Sequence, residues 1–114
     1  MSEVPKLNRK LVLEAPQQVP DGAGGLSEVW VTLGALWAQV RAGSGREVEE
    51  DFLTLSYVPY RIMVRAAPPG ALSRPRPEQR LREGARIYRI IAVADTDPAG
   101  RFLTCFAREE EVSA

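Results

Sequence analysis

Apolar residues return at every second position in several stretches of this chain, and each such stretch predicts a strand with one buried face. Residues 7–14 set Leu7, Arg9, Leu11 and Leu13 against Asn8, Lys10, Val12 and Glu14. Residues 27–33 set Val29, Val31 and Leu33 against Glu28, Trp30 and Thr32. Residues 35–41 continue as strand, with Leu36, Ala38 and Val40 inward and Trp37 outward. Gly34 lies between the two and predicts a bend or bulge, because a strand glycine trades packing for backbone freedom. Residues 60–66 alternate Tyr60, Ile62 and Val64 with Arg61, Met63 and Arg65, after a proline, Pro59, that suits a first strand position.

The strongest strand signal is a hairpin formed by 86–95 and 101–108. Its first arm reads with Ile87, Arg89, Ile91 and Val93 on one face and Tyr88, Ile90, Ala92 and Ala94 on the other. In its second arm Phe102, Thr104 and Phe106 oppose Leu103, Cys105 and Ala107. Thr96-Asp97-Pro98-Ala99-Gly100 joins them; proline sets one turn dihedral and glycine admits the left-handed one. Neither face is cleanly polar. A strand apolar on both sides needs cover on both sides. One side can fill a small barrel; the other calls for a helix, a loop or a second copy of the chain.

The remaining stretches lack this alternation. Residues 15–26 hold Pro16, Pro20 and Asp21-Gly22-Ala23-Gly24-Gly25, which predicts a flexible loop. Residues 67–84 hold Pro68, Pro69, Gly70, Pro75 and Pro77, which predicts a long excursion without regular structure, carrying Arg74, Arg76, Arg80 and Arg82. In residues 46–57 the period changes. Val48, Phe52 and Leu55 stand at i, i+4 and i+7 among Glu47, Glu49, Glu50 and Asp51. That fits about three turns of amphipathic helix, and equally a long loop ordered only in an assembly. Residues 1–6 and 109–114 read as loose tails. The expected fold is mainly β: one domain over 1–114, a small antiparallel β-barrel of five to six strands with long loops and room for one short helix.

Composition narrows the function classes. A chain of 114 residues can bury roughly two-thirds of its unfolded surface, enough for one modest core. Formal net charge is zero, so no overall field points to a polyanion. The charge is divided, however: residues 1–57 carry five basic and eight acidic side chains, residues 58–114 ten and seven. Opposite poles suit stacking on copies or on a partner, although solvated surface charge is the plainer account. The single cysteine, Cys105, excludes an internal disulfide and reads as a small buried hydrophobe. No basic start followed by an apolar run is present, and no run nears the ~18–20 apolar residues that span a bilayer. A soluble protein of a reducing compartment is expected, with no membrane partner.

Catalytic chemistry finds little to stand on. Histidine is absent, and one cysteine cannot build a zinc site of the usual types. Gly22-Ala23-Gly24-Gly25 lacks the spacing of a phosphate-binding loop and does not lead into a helix. Glu47, Glu49, Glu50 and Asp51 lack the alternation of a calcium loop. Ser56 and Ser73 have no neighbouring base. The expectation is a non-enzyme with no catalytic residue, metal or cofactor. The arginine-rich loop offers guanidinium groups for phosphates, but no interleaved aromatics for stacking bases. It serves equally as a protein interface, where arginine is enriched.

Taken in order, Asp21-Gly22-Ala23-Gly24-Gly25, Trp30, Leu33-Gly34-Ala35-Leu36-Trp37-Ala38-Gln39-Val40, Gly45-Arg46-Glu47, Tyr60-Arg61-Ile62-Met63-Val64-Arg65 and the 84–95 run resemble the phage head–tail joining family. The resemblance runs from about Leu7 to Glu109. The Asp-Gly-Ala-Gly-Gly and Leu-Gly-Ala-Leu-Trp-Ala stretches look most like the versions in phage-like gene transfer agents. What it implies is a head-closure, or stopper, subunit. Such a protein has a small β-barrel and forms a homo-oligomeric ring in the neck of a virion or virus-like particle, after assembly in the host cytoplasm. Portal and adaptor proteins lie on the head side and a tail terminator on the tail side. The ring retains packaged DNA and docks the tail. By order along the chain, the loop that faces the channel in that family corresponds to residues 43–57, so Arg46, Glu47, Glu49, Glu50 and Asp51 are channel candidates. The stretch Val58-Pro59-Tyr60 departs from the His-like or Thr position common in relatives at the loop exit. Candidate interface residues are Trp30, Trp37, Arg61, Arg65, Arg74, Arg76, Arg80 and Arg82. The rival reading is a small β-barrel nucleic-acid-binding module using the arginine-rich loop with Arg61 and Arg65. A metal-dependent hydrolase built on the acidic segment is a distant third.

Overall fold

In the computed structural model, which describes residues 4–43 and 59–110, every predicted strand forms. The elements are β1 (Arg9–Pro20), β2 (Leu26–Ala42), β3 (Pro59–Arg65), β4 (Arg80–Glu83), β5 (Arg86–Asp95) and β6 (Phe102–Glu110). All neighbours are antiparallel, and the order β1-β2-β3-β6-β5-β4 closes into a barrel when β4 pairs back with β1. Period 2 explains the filling. Leu11, Leu13, Ala38, Ile62, Val64, Leu81, Tyr88, Ile90, Leu103, Cys105 and Ala107 all point inward and are buried. Burying each large aliphatic side chain is worth about 1.5–3 kcal/mol, so the interior supplies the main driving force. The mainly β barrel expected from the pattern is the fold observed, with six strands.

Three expectations need correction. The first is the loop assigned to 15–26. Strand β1 instead runs through Pro16 to Pro20, β2 begins at Leu26, and only 21–25 turn. Prolines are tolerated there because β4 pairs with β1 only at Val12, Leu13 and Glu14. Beyond Glu14 the outer side of β1 is an edge, where a missing N–H breaks no ladder. The tip is held by Asp21, whose Oδ1 accepts from the backbone N–H of Ala23 at 2.8 Å and of Gly25 at 3.0 Å. The two predicted strands 27–33 and 35–41 are one long strand. It carries the expected bulge: Leu13 faces Gly34 while Glu14 faces Thr32, leaving Leu33 extra.

The second correction concerns 67–84, which was assigned no regular element. Its last residues form β4, with Leu81 fully buried between Arg80 and Arg82. A two-residue turn at Gly84-Ala85 joins β4 to β5; Gly84 takes a φ of 60°, which glycine adopts without strain. Proline density masked a four-residue strand. The rest of the loop is tied down. Pro75 is fully buried, and Ile90 donates its N–H to Gln79 O at 2.9 Å and accepts from Glu78 N–H at 3.1 Å.

The third correction is the facing of β5. Tyr88 and Ile90 face inward as one set, but a bulge places Ile91 between Ile90, opposite Ala107, and Ala92, opposite Phe106. After the extra residue the faces exchange. Val93 packs against the core and Ile91 turns outward, 51% exposed. Strict alternation cannot see a bulge, because the inserted residue has no local sequence mark. The 96–100 turn forms as expected, with Gly100 at φ 68°. The helix or loop predicted for 46–57 lies outside the described residues.

Candidate functional site: two outer surfaces of the barrel

With the interior filled by side chains, any function falls on the outside, and the strand register defines what is displayed there. On β2 the outward set is Ala35, Trp37, Gln39 and Arg41; on β3 it is Arg61, Met63 and Arg65; on β6 it is Thr104, Phe106 and Arg108. Arg41 lies opposite Arg61, Arg61 opposite Phe106, and Phe106 opposite Ala92. This row joins cations to apolar groups across four strands. Trp37, Ile91 and Phe106 are exposed on this side of the barrel. Arg65 lies over the ring of Phe102, 5.7 Å from its centre, and so covers part of an otherwise outward aromatic. Beside this face the segment before β1 crosses β2: Lys6 N–H donates to Gln39 Oε1 at 2.7 Å. Val4, Pro5, Gln39, Arg41 and Met63 line a shallow depression there of about 260 Å³.

The second surface is the β1–β2 ribbon. From residue 15 on β1 and back to residue 31 on β2, the two strands pair only with each other among the described residues. Ala15 faces Val31 and Gln17 faces Val29, continuing the inward face of the barrel into open space. Val29 and Val31 are therefore exposed, at 39% and 38%. The opposite face of the ribbon bears Trp30, which is fastened to the barrel wall. Arg80 lies 4.0 Å and Arg89 5.2 Å from the centre of its indole. A guanidinium over an indole face is attracted by the ring quadrupole.

Charge holds both ends of the barrel. Near the ribbon, Glu14 is buried and accepts from Arg80 Nε at 2.7 Å and Arg82 Nε at 3.1 Å. Burial alone would raise its carboxyl; the two guanidinium groups outweigh burial and hold it below the usual range. At the opposite end, Arg9 of β1 clasps Glu83 of β4, while Arg86 of β5 clasps Glu109 of β6 at 2.7 Å and touches Tyr60 of β3 through its hydroxyl at 3.0 Å. The ring of Tyr88 packs edge-on against Tyr60 with centroids 5.0 Å apart. Hydrogen bonds from Arg9 and Arg86 depress the carboxyls of Glu83 and Glu109 respectively. Desolvation raises the hydroxyl of Tyr88.

The candidate residues fall into distinct groups. Trp30, Arg80 and Arg82 come together, on the anchor between ribbon and barrel. Arg74 braces its own loop, donating to the Ala67 carbonyl at 2.7 Å. Arg76 is exposed, and Gln79 Oε1 accepts from its backbone N–H at 3.0 Å. Trp37, Arg61 and Arg65 share the outer sheet face. Arg46, Glu47, Glu49, Glu50 and Asp51 lie outside the described residues. The sequence reading missed Arg89, whose position opposite Arg80 depends on the unrecognised β4. Ile91, which the alternation sets on the face opposite Tyr88 and Ile90, is outward as that reading has it, but was not among the interface candidates. Cys105 is buried as expected, and desolvation pushes its thiol up to about 12, which disfavours the thiolate.

Comparison with known proteins gives a consistent family picture. The family model for Phage head completion protein matches residues 3–110. A chain in the structure described as the virion of native gene transfer agent (GTA) particle is 59% identical. It superposes with a TM-score of 0.78, covering 96% of this chain and 100% of that one. The solution structure of protein SF1141 from Shigella flexneri 2a is 23% identical with a TM-score of 0.70, covering 95% and 96% of the two chains, and so shares the fold. No curated protein matches.

Proposed function

We propose, on the premise that the chain belongs to the phage head completion protein family, that it is the subunit that closes a filled head and receives the tail. As a family member it is a structural protein of the virion. The finer reading is a homo-oligomeric ring in the neck, between portal or adaptor proteins and the tail terminator, through which DNA passes. The observation that carries it is the end-to-end likeness to a chain of a gene transfer agent virion.

The physical features support an unfinished object. Two apolar surfaces stand exposed on a barrel whose interior is already full. Proteins rarely leave such surfaces bare unless a partner covers them. In this reading Glu47, Glu49, Glu50 and Asp51 turn to the channel, where carboxylates repel phosphates and favour passage over sticking. The rival use of the arginine-rich loop as a phosphate surface is weakened by geometry. Arg74, Arg80 and Arg82 are engaged within the fold, on a carbonyl and on Glu14.

Deleting the gene from a particle-producing strain tests the reading. The expected outcome is heads that fill, then lose DNA and carry no tails, with recovery when the chain is supplied. Normal tailed, DNA-filled particles in the deletion strain would refute it.

A further inference from the structure

The two outer surfaces differ in sign as well as place, and their shapes match. Residues 15–31, the ribbon and its tip, carry Asp21 and Glu28 and no Lys or Arg. The outward positions of residues 35–41 on β2 and of β3 carry Arg41, Arg61 and Arg65 and no carboxylate. Each surface has an apolar centre: Val29 and Val31 on the ribbon, Ile91 and Phe106 on the sheet. The ribbon strands run six residues past the last β4 pairing, about 20 Å. The outer face of β3 spans seven residues and is of similar length.

We infer that the β1–β2 ribbon of one copy packs across the outer β3–β6–β5 face of the next copy. This deepens the ring reading of the previous subsection and rests on it. The contact joins two different patches of the same chain. It is therefore heterologous and leaves a free ribbon at one side and a free sheet face at the other, which a rotation can close into a ring. Val29 and Val31 lie against Ile91 and Phe106, and the acidic tip at Asp21 lies toward the arginines that flank that face. Apolar contact at the centre supplies adhesion, and the flanking charges fix direction and register. The Trp30 anchor holds the ribbon at one angle to its own barrel, so that successive copies meet with a constant turn.

Two chains with single introduced cysteines test the contact, Val31→Cys in one and Ile91→Cys in the other. Both positions are exposed, and buried Cys105 stays unreactive. The full-length chains are supplied together or singly during particle assembly and then oxidised. The expected result is a disulfide-linked dimer only when both are present. An assembled neck that contains the chains but gives no mixed dimer overturns the contact and leaves the structural role standing. A dimer from either variant alone overturns it in favour of a two-fold contact. A chain never found in the neck overturns the ring reading itself.

Discussion

Glu14 shows how one carboxylate can hold two strands. It sits on β1 beside the β2 bulge and takes a guanidinium from each of two residues on β4. Glu14→Gln leaves Arg80, itself mostly buried, facing a neutral partner. Removing one member of a buried pair costs about 3–5 kcal/mol. Because Arg82 is more exposed and can turn to water, about 2 kcal/mol is expected here. Urea unfolding at neutral pH measures it; a loss under about 0.5 kcal/mol, the usual size for a surface change, would show that the pair is not coupled to folding. Glu14 could be read from the sequence as an outward strand position, but not as an ion-pair centre, because its partners arrive from 66 and 68 residues away. Separation along the chain likewise hid Arg9 with Glu83, 74 residues apart, and Arg86 with Glu109, 23 apart. Cys105 was legible because its neighbours along the strand are its environment. What a residue does alone is printed in the local pattern; what it does in pairs waits for the topology.

At the level of elements, period 2 located β1, β2, β3, β5 and β6, and failed wherever the backbone slips. The bulge at Gly34 was readable because glycine marks it; the bulge at Ile91 was not, because isoleucine does not. Strand β4 was lost among prolines that lie before it rather than in it. Extending β1 through Pro16 and Pro20 required knowing that β4 is too short to reach them. The ribbon created by that difference in length is the element with the clearest consequence. Trp30→Ala removes the two guanidinium–indole contacts, each worth about 0.5–2 kcal/mol. Amide exchange in 15–20 and 26–31 is expected to quicken by an order of magnitude or more, while amides of β3 and β6 keep their protection. Equal acceleration throughout would mean that Trp30 supports the whole barrel rather than the ribbon's attachment.

For the whole molecule, closure of the sheet depends on carboxylates at both ends. Glu14, Glu83, Asp97 and Glu109 are all held below their ordinary range in the fold, Asp97 through Arg101. A carboxyl depressed on folding adds stability above its unfolded value, about 4.3 for Glu, and loses it as pH falls through the folded value. Stability is therefore expected to be level from pH 7 to about 5 and to decline steeply below about 4, as followed by melting temperature across that range. A flat acid limb would show that these pairs contribute nothing to folding.

The ribbon also determines how the chain behaves before it meets any neighbour. Strand β3 is paired along both sides, whereas the ribbon, residues 15–20 and 26–31, is paired on one side only among the described residues and so offers a place where sheets of separate molecules could fuse. One of its rims is interrupted by Pro16 and Pro20, which cannot donate, and the other by the kink at Leu33. An edge interrupted in this way is a poor template for strand addition by another chain.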